Sequence, residues 1–145
     1  MREASIKRKT NETNISLSVN LDGRGEHNIS TGIGFFDHML AQIAVHGLID
    51  IDLQAEGDLH IDAHHTIEDC GIVLGEGIGQ ALGSKLGIRR MAEASAPMDD
   101  ALANVILDLS GRPYSVIQIP WVSPSVGNIP TSLIEHFFET VAVSA

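Results

Sequence analysis

The feature that most limits how this chain can fold is an internal repeat. Residues 21–25 (LDGRG) and 109–113 (LSGRP) are similar and lie 88 residues apart. Residues 36–45 (FDHMLAQIAV) and 134–143 (IEHFFETVAV) are similar and lie 98 residues apart. Segments that recur in order indicate two copies of one supersecondary unit, and neither copy can bury its apolar face alone. We therefore expect a first α+β repeat over residues 1–90 and a partial second repeat over residues 91–145.

Hydrophobic periodicity predicts strand, strand, helix, strand, helix as the order within the unit. The predicted elements of the first copy are strands at 13–21, 26–31 (as hairpin partner of the preceding strand), 48–53 and 58–62, with helices at 35–46 and 65–86. Those of the second copy are strands at 103–109 and 114–119 and a helix from Thr131, as N-cap, to Val143.

The second copy stops inside its first helix, which would leave an apolar face uncovered. By the repeat offset, counterparts of His64 and Lys85 would fall at about positions 162 and 183. We therefore expect the 145 residues to be a shortened form of a longer protein.

Four glycines recur every four residues in the predicted second helix: Gly71, Gly75, Gly79 and Gly83. Each interior glycine costs about 0.5–1 kcal/mol relative to alanine. A stripe of this kind indicates a helix face that another backbone approaches closely.

Composition excludes several classes of function. A formal charge of −10 disfavours nucleic-acid binding, because like charges repel. No apolar run approaches the length of a membrane span, and the N-terminus has no apolar signal core. The single cysteine, Cys70, fits a reducing compartment and a small buried side chain. These features predict a cytoplasmic protein with no nucleic-acid or membrane partner.

The strongest chemical motif is DAHHTIED at residues 62–69. Imidazole and carboxylate are ligands of borderline divalent ions such as Mn, Fe, Co, Ni and Zn. On a helix, His64 and Glu68 are neighbours one turn apart, whereas the adjacent His64 and His65 project about 100° apart. The motif therefore favours two metal sites flanking one helical turn.

The repeat pairs His38 with His136, which predicts the same role for both. The acidic residues that precede them, Asp37 and Glu135, are expected to orient these imidazoles through hydrogen bonds.

Several segments together resemble the signature segments of the imidazoleglycerol-phosphate dehydratase family, in order from about Arg8 to Val143. They are TGIGFFDHML (31–40), DAHHTIED (62–69), PMDDAL (97–102), DLSGRPY (108–114) and EHFF (135–138). The resemblance implies a two-layer α+β fold built from duplicated half-domains of the ribosomal protein S5 domain 2 type, the second copy being incomplete here. It implies a lyase of histidine biosynthesis that dehydrates D-erythro-imidazole glycerol phosphate to imidazole acetol phosphate.

The resemblance also implies roles for individual residues. The metal ligands would be His38, His64, His65, Glu68 and His136. Glu12 would be the acid/base carboxylate, Gln42 and His46 would contact the substrate, and Arg90 and Arg112 would bind its phosphate. Members of the family use two Mn²⁺ ions per active centre and assemble as homo-oligomers of 24 copies, with sites at subunit interfaces.

One departure from the family pattern is that a second HHxxE segment and a C-terminal phosphate-binding segment do not occur in this sequence. We therefore expect weak metal binding, poor assembly and little activity from the 145 residues alone. The same histidine and glutamate residues are also compatible with two other functions. One is a dinuclear hydrolase with a metal-bound water as nucleophile, and the other is a non-catalytic module in which metals join subunits.

Overall fold

A computed structural model describes residues 1–145. It is a mixed α+β chain of three helices and eight strands, which confirms the predicted fold class. The elements are β1 (Glu3–Lys9), β2 (Thr13–Asn20), β3 (His27–Ser30), α1 (Gly34–Gly47), β4 (Asp50–Gly57), α2 (His64–Leu82), β5 (Met91–Met98), β6 (Ala101–Asp108), β7 (Ser125–Val126), β8 (Ile129–Pro130) and α3 (Thr131–Ser144). None of the helices is both long enough and apolar enough to cross a membrane.

The core lies between a four-stranded sheet of order β1-β2-β4-β3 and the helices α1 and α2, and α3 packs against α2. Strand β2 alternates as its sequence predicts, with Ile15, Leu17 and Val19 buried and the serine residues between them pointing to the other face. Helix α2 buries Val73 and Leu74 in the same core. Full burial of each such side chain contributes about 1.5–3 kcal/mol.

Strand β3 does not pair with β2, so the predicted hairpin is wrong. Strand β2 lies between β1 and β4, and β3 pairs with β4 in parallel. One cause is Asp50, whose carboxylate accepts hydrogen bonds from the backbone N–H groups of Arg24 and Glu26 at 2.8 and 2.9 Å. These bonds fix the connection beside the start of β4 and direct β3 along it.

The Asp50 contacts lead to a pH prediction. Hydrogen bonds from the backbone N–H of Arg24 and then of Glu26 lower the pKa of Asp50. A carboxyl whose pKa is lower in the folded chain stabilises the fold above about pH 4 and loses that effect as the pH falls through its folded pKa. We expect Asp50→Asn to lower the urea midpoint of unfolding at neutral pH, and the difference from the parent to shrink in acid. An equal difference at pH 7 and at the acid end would contradict this assignment.

Three other sequence expectations are also corrected. Residues 58–62 form turns instead of a strand, with the Ile61 N–H donating to the Asp58 carbonyl at 2.8 Å. Residues 114–119 are not a strand, because β6 pairs with β5 instead. Thr131 is the first residue of α3 rather than its cap, and its hydroxyl donates to the Pro124 carbonyl at 3.2 Å.

The glycine stripe of α2 faces the backbone of α3, as its spacing predicts. A Cβ atom built on Gly75 would lie 2.7 Å from the Val141 carbonyl oxygen, and one on Gly79 would lie 2.9 Å from that of Ala145. Gly83 has another role, because it ends α2 with a φ of 55°. Small residues therefore set how closely α3, which carries His136, approaches α2.

Strands β5 and β6 form a separate hairpin, and every residue of both strands is exposed. Strand β6 begins and ends 88 residues after β2, which is the offset of the sequence repeat. One face of the hairpin is entirely apolar and carries Ala92, Ala94, Ala96, Met98, Ala101, Ala103, Val105 and Leu107.

Candidate metal centre

Two helices bring three potential ligands together. His64 and Glu68 lie on the first turns of α2, and His136 lies on α3. The His136 Nε2 is 3.1 Å from the Glu68 Oε1, and the His64 Nε2 is 3.8 Å from the Glu68 Oε2. The ligand atoms of the three side chains all lie within 4.8 Å of one another. We call this group the His64 cluster.

The His64 cluster has the ligand types of a divalent metal site, and the separations from Glu68 are close to those of such a site. Ligands that share one ion at about 2.1 Å are themselves roughly 3–3.5 Å apart. The two separations from Glu68, 3.1 and 3.8 Å, are close to that range. Two imidazoles and one carboxylate suit borderline ions. All three side chains are partly exposed, so an ion can reach them.

His65 points to a different partner from His64. Its Nδ1 lies 2.9 Å from the Asp58 Oδ2, and this hydrogen bond is the main cause that raises the pKa of His65. A histidine that donates its Nδ1 proton to a carboxylate has its Nε2 lone pair free for a metal. The two adjacent histidines therefore have different carboxylate partners, Glu68 for His64 and Asp58 for His65.

Asp58 was missed from the sequence because it precedes the motif by several residues in a turn. Its side chain is 12% exposed, and its Oδ1 is buried without a hydrogen-bond partner. A buried carboxylate that holds an imidazole is a common support for a metal ligand. The only trace of it in the sequence is an acidic residue after Gly57, at the end of a strand.

Removing this support gives a testable expectation. Asp58→Ala should lower divalent-metal affinity about 10–100-fold, because His65 loses the acceptor that fixes its ring. Asp52→Ala is the matched control, since Asp52 is an exposed carboxylate on β4 that accepts hydrogen bonds from Asn28 and Gln54 and from no histidine. Calorimetric titration with Mn²⁺ measures both. Equal affinities for the two variants would show that Asp58 does not support a ligand.

The two acidic residues predicted to orient His38 and His136 have other partners, so that prediction is wrong. Asp37 accepts hydrogen bonds from the backbone N–H and the hydroxyl of Thr31, which anchors the start of α1. Glu135 accepts a hydrogen bond from the Trp121 Nε1 at 2.6 Å.

Three other predicted site residues lie on α1 and outside the His64 cluster. His38 is exposed and does not belong to the cluster. Gln42 and His46 contact each other, with the Gln42 Oε1 3.1 Å from the His46 Nε2. Glu12 lies in the turn between β1 and β2, and its negative charge contributes to the raised pKa of His65.

The two predicted phosphate ligands flank the exposed hairpin. Arg90 makes two hydrogen bonds to Asp108, at 2.6 and 3.0 Å, and this pairing raises the pKa of Arg90 and lowers that of Asp108. Arg112 is exposed, and its charge also lowers the pKa of Asp108. Neither arginine makes an ion pair with the His64 cluster in one chain.

An open cavity of about 590 Å³ adjoins the His64 cluster. Its polar lining includes His64, Asn128 and Ser132. Cys70 lies outside this cavity in the core, and burial raises the pKa of its thiol to about 12. A thiol held in its neutral form is a packing residue rather than a metal ligand, as its sequence context predicts.

Comparison with known proteins gives consistent matches. The family model described as imidazoleglycerol-phosphate dehydratase matches residues 31–145. The imidazoleglycerol-phosphate dehydratase of Acetivibrio thermocellus is 57% identical over 99% of this chain and 74% of its own length. That of Methanosarcina mazei is 54% identical over 100% of this chain and 76% of its own length.

Two solved structures that are similar to this chain are also imidazoleglycerol-phosphate dehydratases. The crystal structure of imidazoleglycerol-phosphate dehydratase from Staphylococcus aureus is 32% identical, with a TM-score of 0.87 over 99% of this chain and 78% of that chain. The enzyme from Pyrococcus furiosus in complex with (S)-C348 is 33% identical, with a TM-score of 0.77 over 96% of this chain and 73% of that chain.

Proposed function

Because the chain belongs to the imidazoleglycerol-phosphate dehydratase family, the hydro-lyases of histidine biosynthesis, we propose that it removes water from D-erythro-imidazole glycerol phosphate to give imidazole acetol phosphate. The single observation that carries this proposal is the His64 cluster, in which two helices bring an imidazole pair onto one carboxylate. Such a donor set suits a reaction that places negative charge on a nitrogen heterocycle.

Two Mn²⁺ ions per active centre are the proposed cofactors. His64, Glu68 and His136 would hold one, and His65 would contribute to the other together with His38. When bound, the ions supply electrostatic stabilisation of negative charge on the imidazole ring of the substrate. The separate hydrogen bond of His65 to Asp58 supports this division between two positions.

Glu12 is the proposed proton carrier. It is exposed in the β1–β2 turn, makes no side-chain hydrogen bond, and lies near enough to His65 for its charge to act on that ring. A carboxylate free of partners can take a proton from the substrate carbon and deliver one to the departing hydroxyl.

The remaining proposed contacts involve the substrate side chain. Gln42 and His46 would line the pocket, and Arg90 and Arg112 would bind the phosphate through charged hydrogen bonds. Arg90 must exchange its bonds to Asp108 for the phosphate. Because His38, Arg90 and Arg112 lie apart from the His64 cluster in one chain, we propose that a second copy supplies them within a homo-oligomer of 24 copies in the cytoplasm.

The test is complementation and turnover. The protein expressed from its complete gene should restore growth without histidine to a bacterium that lacks this dehydratase. With Mn²⁺, the purified protein should convert the substrate to a product lighter by one water, measured by mass spectrometry. Release of inorganic phosphate without loss of water would instead indicate a hydrolase and would overturn the proposal.

A further inference from the structure

We propose that Thr10, Thr13 and Asp69 are positioning residues that hold Glu12 against the metal-binding turn of α2. The inference rests on the proposed role of Glu12 as the proton carrier. It assigns a task to a partly buried hydrogen-bond network that lies outside the His64 cluster.

Asp69 is the centre of this network. Its side chain is 9% exposed, and it follows Glu68 directly on α2. One carboxylate oxygen accepts a hydrogen bond from the Arg8 Nε at 2.9 Å, and the other accepts one from the Thr13 hydroxyl. Arg8 lies near the end of β1 and Thr13 begins β2, so one carboxylate joins both sides of the turn that carries Glu12.

Besides the backbone bond from the Thr10 N–H to the Thr13 carbonyl, the direction of each hydrogen bond in the turn follows from that contact. An ionised carboxylate only accepts, so the Thr13 hydroxyl must give its one proton to Asp69. The Thr10 hydroxyl, 3.2 Å from the Thr13 hydroxyl, must then donate to it. The Thr10 oxygen is left to accept from the backbone N–H groups of Glu12 and Thr13, at 3.1 and 3.0 Å. A continuous chain of hydrogen bonds therefore runs from the Glu12 amide to α2.

The network has a functional consequence because nothing else holds the Glu12 side chain. The carboxylate of Glu12 makes no hydrogen bond or ion pair, so its position depends on its backbone. That backbone is tied to the residue next to Glu68, which belongs to the His64 cluster. A misplacement of about 1 Å in a reacting group can reduce the rate about 100-fold. The network therefore keeps the Glu12 carboxylate at a fixed position relative to the proposed metal ligands.

The test compares variants that each remove a different hydrogen bond of this network. Thr13→Val removes the bond to Asp69, and Thr10→Val, at a half-buried site that tolerates the change more easily, removes the acceptor of the Glu12 amide. Both should lower kcat about 10–100-fold, while KM and Mn²⁺ affinity stay within about twofold. Thr13→Ser keeps the hydroxyl and should restore kcat.

A control and a second readout separate positioning from stability. Arg2→Met removes the ion pair with Asp22 at the opposite end of the β1–β2 pair. It therefore tests the loss of a side-chain contact between these strands while the turn that carries Glu12 stays intact. Its kcat should match that of the parent. In the metal-free protein, hydrogen exchange at the Glu12 amide should accelerate about tenfold or more in Thr13→Val and Thr10→Val, and not in Arg2→Met.

A double-mutant cycle identifies which idea fails. In a Glu12→Gln background, adding Thr10→Val should cause no further loss of kcat, because the effect passes through Glu12. Full activity of Glu12→Gln would overturn the proton-carrier role itself. A large loss in Glu12→Gln with parental kcat and exchange in Thr10→Val and Thr13→Val would overturn only the positioning role, as would additive losses in the double variant.

Discussion

Glu68→Gln is expected to lower Mn²⁺ affinity by more than about 100-fold and to eliminate Mn²⁺-dependent turnover at concentrations that saturate the parent. Glu68 is the only anionic member of the His64 cluster, and its two oxygens face different imidazoles, at 3.1 and 3.8 Å. Loss of a residue that merely supports a ligand typically costs 10–100-fold in affinity, so loss of the charged ligand itself must cost more. Glutamine keeps the shape of the side chain and removes the charge.

The matched control for this prediction is Glu76→Gln. Glu76 is exposed on the same helix, so the same chemical change is made with the same loss of net charge. Calorimetric titration with Mn²⁺ and the water-loss assay should show parental behaviour for this variant. If Glu68→Gln binds Mn²⁺ as tightly as Glu76→Gln, the His64 cluster is not the metal centre.

Gly75→Val is expected to destabilise the fold by about 1–3 kcal/mol or more and to weaken metal binding without removing any ligand. A Cβ atom on Gly75 would lie 2.6 Å from the Ser144 Cβ and 2.7 Å from the Val141 carbonyl oxygen. Backbone cannot yield as a flexible side chain does, so α3 must move away from α2. His136 lies on α3 and Glu68 on α2, so this movement lengthens their 3.1 Å contact.

Gly34→Val is the control for the glycine prediction. It makes the same substitution in a helix, at a position where a Cβ atom meets nothing within 4 Å. Urea unfolding and Mn²⁺ titration on both variants measure the stability and the affinity. A Gly75→Val variant with parental unfolding midpoint and parental affinity would show that α3 does not depend on this contact for its position.

Some features of the fold and of the site could be predicted from the sequence because they depend on local backbone geometry. The alternation of Ile15, Leu17 and Val19 set the buried face of β2, and the four-residue glycine spacing indicated the close approach of another helix. Helical spacing also predicts that His64 and His65 point in different directions, and they do contact different carboxylates. In each case the positions involved are close in the chain, so the backbone period alone relates their directions.

Only the tertiary structure decided which distant groups meet. Strand β3 follows β2 in sequence but pairs with β4, because β2 has both edges occupied and Asp50 holds the connection. Asp37 accepts hydrogen bonds from Thr31 rather than from a histidine. His65 is hydrogen-bonded to Asp58, a residue outside the predicted helix.

The same division explains the proposed metal centre. The sequence by itself determined that His64 and Glu68 share a helix face, since i,i+4 neighbours on a helix always do. It paired His38 with His136 by repetition, yet only His136 joins that face within one chain. The reason is physical: local periodicity is dictated by backbone geometry, whereas long-range contacts are settled by competition among many partners for the same edge, face or hydrogen bond.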